Sequence, residues 1–211
     1  PNHTGWYHVW IKEHPEYYTK NAKGEIIDPI NPETGKSWGW SDVADLNYDN
    51  QGLREAMTAD MLHWIKNENI DGFRCDVASN VPLDFWQKAI PQLRKEKNIF
   101  MLAEAWEPEL LKEGLFDMAY GWEAHHTMNR IAQGKNSVKE WGAYIQKVNK
   151  DYEANDILMN FVDNHDENSW NGTIKGRLGK GEEAMTALSY VMPGMPLIYS
   201  GTEYGLYHSL K

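Results

Sequence analysis

Cysteine is almost missing: Cys75 is the only one in 211 residues. That excludes a disulfide framework and a cysteine-built zinc cluster. Positive charge is scarce too, with 21 Lys and Arg against 31 Asp and Glu, for a net charge of −10. Nucleic acid is a poor partner for such a chain, because binding relies on basic side chains that neutralise phosphates. An anionic membrane surface is a poor partner for the same reason. No run of about 18 apolar residues occurs, so no segment is expected to span a bilayer. The chain opens PNHTGWYHVW, with no Met and no signal-peptide pattern, and the compartment is left open.

Indole and phenol rings, by contrast, are abundant. Ten Trp and eleven Tyr stand against five Phe. A large aromatic core is one reading of this excess. Sugar binding is the sharper reading, since sugar rings lay flat C–H faces on aromatic rings while their hydroxyls need charged and amide partners.

Residues 1–52 look irregular and carry a long turn-forming stretch, DPINPETGKSWGW. Beyond them the pattern becomes regular. Residues 50–67 read as a helix, with Leu53, Met57, Met61, Leu62 and Ile65 near helical spacing. Residues 70–78 read as a strand, and 82–97 as a helix that Pro91 should kink or restart. Strands are then expected at 98–106, 115–121, 156–166 and 195–203, and helices at 124–133, 136–150 and 181–193. Strands alternating with helices predict an α/β fold with a parallel sheet.

An eight-stranded α/β barrel of about 250 residues gives roughly 31 residues per βα unit. Asp76 and Glu104 are 28 residues apart, near one unit, and Glu104 and Asp166 are 62 apart, near two. Three carboxylates are thus expected at the C-terminal ends of strands, the end where barrel enzymes keep their chemistry.

Arg74 lies two residues before Asp76, on the same side of its strand. An adjacent guanidinium favours the ionised carboxylate, as a covalent glycosidase nucleophile requires. An ordinary structural ion pair is the competing explanation. Glu104 stands among Met101, Leu102, Ala103, Ala105 and Trp106, apolar surroundings that would favour a protonated acid. The strand at 156–166 ends in Asn164, His165 and Asp166, which either bind a ligand or cap a loop.

These residues carry a family resemblance. NH at 2–3, VADLN at 43–47, GFRCD at 72–76, AEAW at 103–106 and FVDNHD at 161–166 resemble, in order, the motifs of the α-amylase family, glycoside hydrolase family 13. The resemblance implies a retaining hydrolase of α-1,4-glucosidic bonds in starch or malto-oligosaccharides. It implies Asp76 as nucleophile, Glu104 as acid and then base, and Asp166 as the third carboxylate. Arg74, His3 and His165 would orient Asp76 and bind the sugar, with the Asp76 and Glu104 carboxyls about 5–5.5 Å apart. A transglycosylase, an α-1,6- or oligosaccharide-directed member, and a non-catalytic glucan-binding relative are the alternatives. No cofactor is needed for the chemistry. A structural calcium is implied, with Asn2 as its ligand. The Lys-His pair of many starch-cleaving members is replaced by Ser79 and Asn80, which puts long-starch preference and calcium in question.

The resemblance also implies an incomplete (β/α)8 TIM barrel, with strands 1–2 and most of strand 3 missing. Residues 1–50 would hold the end of strand 3 and a small inserted domain B, and residues 51–211 the partial catalytic barrel, strands 4–8. A polypeptide of this extent is expected to be inactive and poorly stable alone. His125 and His126 are adjacent, so on a helix they diverge and make poor joint metal ligands; capping or surface packing is expected of them.

Overall fold

The computed structural model describes residues 1–31, 34–205 and 208–209. Residues 32 and 33 of the turn-forming stretch thus lie outside the described residues. The chain folds as two compact units, Pro1–Glu104 and Ala105–Lys211.

In the first unit, β1 (His3–Gly5) and β2 (Val43–Asp45) pair antiparallel, with His3 opposite Asp45. Between them lies a short helix, α1 (Trp10–Glu13). Asn50 caps α2 (Gln51–Glu68) by accepting from Leu53 N–H at 3.1 Å, and Asn69 ends it in a left-handed conformation. Leu53, Met57, Met61 and Ile65 recur every fourth residue and form its buried stripe.

Strand β3 (Gly72–Cys75) leads through a tight turn to α3 (Leu83–Glu96), and β4 (Phe100–Ala103) pairs parallel to β3. The entry to β3 requires glycine, because a Cβ on Gly72 would stand 1.9 Å from the Phe100 carbonyl oxygen. Helix α3 buries Phe85, Trp86, Ala89, Ile90 and Leu93. Pro91 lies inside it without breaking it: its ring is on the exposed face, where water can serve the carbonyl that loses its N–H partner. Cys75 is buried and free, on the face opposite Arg74 and Asp76.

In the second unit, β5 (Met118–Tyr120), β6 (Ile157–Asn160) and β7 (Met195–Pro196) are parallel in that order. Helices α4 (Trp122–Ala132) and α5 (Val138–Asp151) connect β5 to β6, and α6 (Ile174–Leu178) and α7 (Glu182–Val191) connect β6 to β7. Met128, Val162, Ile174 and Leu178 form a buried cluster under α7. No described helix is long and apolar enough to cross a membrane.

Candidate active site

Cys75 stands opposite Ala103, so the next pair outward is Asp76 beside Glu104. The ladder continues past the strands, with Glu104 N–H donating to Cys75 C=O at 3.0 Å and Ala78 N–H to Glu104 C=O at 3.1 Å. Strand pairing alone therefore puts two carboxylates on neighbouring strand ends. Arg74 joins them: its Nη1 bonds to Asp76 Oδ1, and its Nη2 lies 2.9 Å from Glu104 Oε2.

Burial opposes the charge of Asp76. The hydrogen bond and charge of Arg74, with His3 adding to them, outweigh that cost and hold its carboxyl below the ordinary range. The surroundings of Glu104 are not the apolar ones that its sequence neighbours suggest. Its side chain accepts the Val77 N–H at 2.8 Å and lies 2.9 Å from the Arg74 guanidinium, one donor and one cation that favour an anion. Met101, Ala103 and Ala105 are fully buried in the core instead, because alternation along β4 turns them away from the carboxylate.

Val77 has φ 42°, a left-handed conformation that is unusual for a β-branched residue. That turn aims its N–H at Glu104. Backbone outliers of this kind concentrate at active sites, ligand clamps and switch regions.

His3 Nε2 lies 3.4 Å from Asp76 Oδ2, and Nδ1 lies 2.8 Å from the Asn2 carboxamide oxygen. Burial pushes the imidazole below its ordinary pKa, with Asp76 only partly offsetting it. The Asn2 oxygen can only accept, which assigns the ring proton to Nδ1. A neutral His3 then presents Nε2 as an acceptor beside Asp76, an arrangement that suits a hydroxyl proton between the two.

His3, Arg74, Asp76 and Glu104 are thus brought together in the first unit, with Asn2 behind His3. In the second unit, His165 and Asp166 follow β6, with Asp166 six residues beyond its end, and both lie in a helical turn that runs on into the π-helical turn Glu167–Asn171. Their side chains are 3.4 Å apart, and both are partly exposed.

The sequence profile of the alpha-amylase family, described as the alpha amylase catalytic domain, matches residues 1–210. The chain belongs to the alpha-amylase family. It is similar to the crystal structure of a noncanonic maltogenic alpha-amylase, AmyB, from Thermotoga neapolitana, at TM-score 0.85 and 30% identity, covering 100% of this chain and 47% of that one. An alpha-amylase from Lactobacillus plantarum superposes at TM-score 0.85 and 29% identity, over 100% of this chain and 51% of that one. Among curated proteins, Alpha-amylase MalA of Haloarcula japonica is 27% identical over 82% of this chain and 26% of its own length. The chain spans about half the length of the solved relatives and less of MalA. Its fold is an incomplete alpha-amylase TIM barrel.

The alpha-amylase motif FVDNHD stands on a buried network that the sequence did not reveal. Arg177 on α6 donates from Nη2 to Asp163 at 2.7 Å and to Val162 C=O at 2.9 Å, and from Nε to Gly172 C=O at 3.1 Å. Its Nη1 reaches Asn129 Oδ1 at 3.2 Å and Glu167 at 3.4 Å. Glu167 also meets His125 Nε2 at 3.0 Å. Burial opposes the charge of Glu167, but His125 and Arg177 outweigh it and hold its carboxyl below the usual range. His125 is therefore a core residue, 1% exposed and stacked on Phe161, and not the capping or surface residue expected. One signal was available: Arg177 occupies the apolar face of α6 between Ile174 and Leu178, all three buried.

Proposed function

We propose that the protein carrying this chain is a retaining α-glucan hydrolase that cleaves α-1,4-glucosidic bonds of starch or malto-oligosaccharides. The carrying observation is the single guanidinium of Arg74 shared by Asp76 and Glu104 on neighbouring strand ends. One cation balances one of the two carboxylates, so the pair is neutral when it holds one further proton. Asp76, bonded to Arg74, is the anion of the pair.

Asp76 attacks the anomeric carbon. The bond from that carbon to the glycosidic oxygen breaks, and the oxygen takes the proton of Glu104. Glu104, now a carboxylate steadied by Arg74 and the Val77 N–H, then takes a proton from water. The water oxygen attacks the anomeric carbon and releases Asp76, with net retention. His3 Nε2 accepts a sugar hydroxyl. The family motif gives Asp166 the part of the third carboxylate and His165 that of a sugar ligand.

Transfer to a sugar hydroxyl would use the same residues, with the acceptor replacing water. Product analysis on starch, pullulan and maltose separates the outcomes. Reducing ends accumulate in hydrolysis and stay constant in transfer. Asp76→Asn retaining full activity would remove Asp76 from the nucleophile's role, and with it this function.

Calcium fits the surroundings of Asn2. Asn2, Asp45, Asn47, Asp49 and Asn80 line one cavity of about 400 Å³, and oxygen donors of this kind suit a hard cation. Burial pushes the Asp45 carboxyl above its usual value, with Thr19 offsetting it in part, so a cation there would relieve an under-compensated charge. Asn2 and Asp45 would hold the ion, which would brace β1 against β2. Among the described residues no group of three or more His, Cys, Asp or Glu side chains is placed to hold a metal, so the site depends on carboxamide oxygens.

A further inference from the structure

The inserted segment carries two tryptophans that do not serve the core. Trp38 and Trp40 stack with ring centroids 5.6 Å apart and planes 11° from parallel, and Trp38 remains 43% exposed. Leaving indole area in water is unfavourable, yet several bonds hold the pair in place. Trp38 N–H donates to Pro29 C=O at 3.0 Å, and Trp6 Nε1–H to Ser41 C=O at 2.9 Å. The Ser37 hydroxyl accepts Gly39 N–H at 2.8 Å and donates to Asp28. Gly39, between the two rings, has φ 80°, a conformation that a side chain disfavours and that turns residues 38 and 40 to the same side.

The stack is continuous with the carboxylate pair. Trp40 meets His3 edge to face at 6.0 Å between centroids, and His3 lies 3.4 Å from Asp76. The rings thus run from the reacting carboxylate outward, Asp76 to His3 to Trp40 to Trp38. Because the two indoles cover each other's facing sides, a ligand that leaves the pair in that direction meets the outer face of Trp38. An α-glucan, whose successive rings offer apolar faces and hydroxylated edges, matches it.

We propose that the outer face of Trp38, backed by Trp40, is a stacking platform for a sugar ring of an α-glucan that extends away from Asp76 and Glu104. This platform rests on the function proposed above, and makes affinity depend on chain length.

The test is calorimetric titration of maltose and maltoheptaose into the protein carrying this chain, with Glu104→Gln to prevent turnover. Trp38→Ala should weaken maltoheptaose binding about tenfold, as expected for a lost aromatic contact with its buried area, and leave maltose unchanged. Trp38→Tyr should recover most of the loss, which separates stacking from damage to the turn. Trp64→Ala, an exposed tryptophan on α2, should bind as the parent does. If the parent binds both sugars and Trp38→Ala binds maltoheptaose equally well, the platform is wrong and the proposed function stands. Equal weakening of maltose and maltoheptaose overturns the platform as well. If the parent binds neither sugar, both fall.

Discussion

The backbone N–H of Val77 donates to the Glu104 carboxylate at 2.8 Å, and it does so from a left-handed conformation. The turn after β3 thereby links the residue next to Asp76 with the acid at the end of β4. A left-handed β-branched residue is unfavourable by about 1–2 kcal/mol, so the contact is bought with local strain.

Two substitutions separate strain from contact. Val77→Gly keeps the N–H and reaches φ 42° without a Cβ. Its unfolding free energy should stay within about 1 kcal/mol of the parent's, since relieved strain and added chain entropy oppose each other. Val77→Pro removes the N–H and cannot adopt a positive φ. It should lower kcat/KM on malto-oligosaccharides far more than the glycine variant does. Equal kcat/KM for both would show that the Val77–Glu104 contact has no part in the chemistry.

The pH dependence of stability follows from His3 and Asp76. Burial lowers the His3 pKa from 6.5, and the facing carboxylates of Asp76 and Asp42 only partly offset it. The folded state then binds fewer protons than the unfolded one, so stability is lost as pH falls from 6.5 toward the folded value. Asp76 is depressed below 3.8, and its contribution is present above 3.8 and lost below it. Thermal melts should therefore show a decline that begins just below pH 6.5. His3→Asn should reduce that first decline, to which His126, also lowered from 6.5 by desolvation, contributes in the same direction, and leave the more acidic one. A parent curve level down to the acidic range would contradict the burial of His3.

Much of this site could be read in the sequence because barrel chemistry sits at strand ends, and GFRCD and AEAW each mark one. The Asp76–Glu104 adjacency follows from one register, Cys75 opposite Ala103. What could not be read depends on where atoms from distant segments meet. Glu104 has apolar neighbours in sequence, yet Arg74 and Val77 provide its actual contacts. Arg177 is separated by 48 residues from Asn129, so no local pattern announces their bond. Pro91 suggested a break because sequence does not say which face of a helix meets water. The strand expected over 156–166 stops at Asn160, since Asn164 accepts the Glu167 N–H at 2.8 Å and starts a helical turn instead.

Calcium, if it binds at Asn2 and Asp45, should raise the melting temperature, because a ligand of the folded state stabilises it by mass action. The rise should follow calcium concentration and disappear in Asp45→Asn. Magnesium should have a smaller effect, given its stricter geometry and reluctance to shed water. A melting temperature unmoved by calcium and by chelator would exclude the site.

Arg177 supports the loop that bears His165 and Asp166 through bonds to Val162, Asp163, Glu167 and Gly172. Arg177→Met removes the cation and leaves two carboxylates, 4% and 7% exposed, without it. Loss of one partner from a buried ion pair is destabilising by about 3–5 kcal/mol, which denaturant melts can resolve. Adding Asp163→Asn and Glu167→Gln should recover most of that loss, because uncharged amides in their place no longer need a counter-ion. If the triple variant is no more stable than Arg177→Met alone, the loop is held by packing around Ile174 and Leu178 and not by the charges.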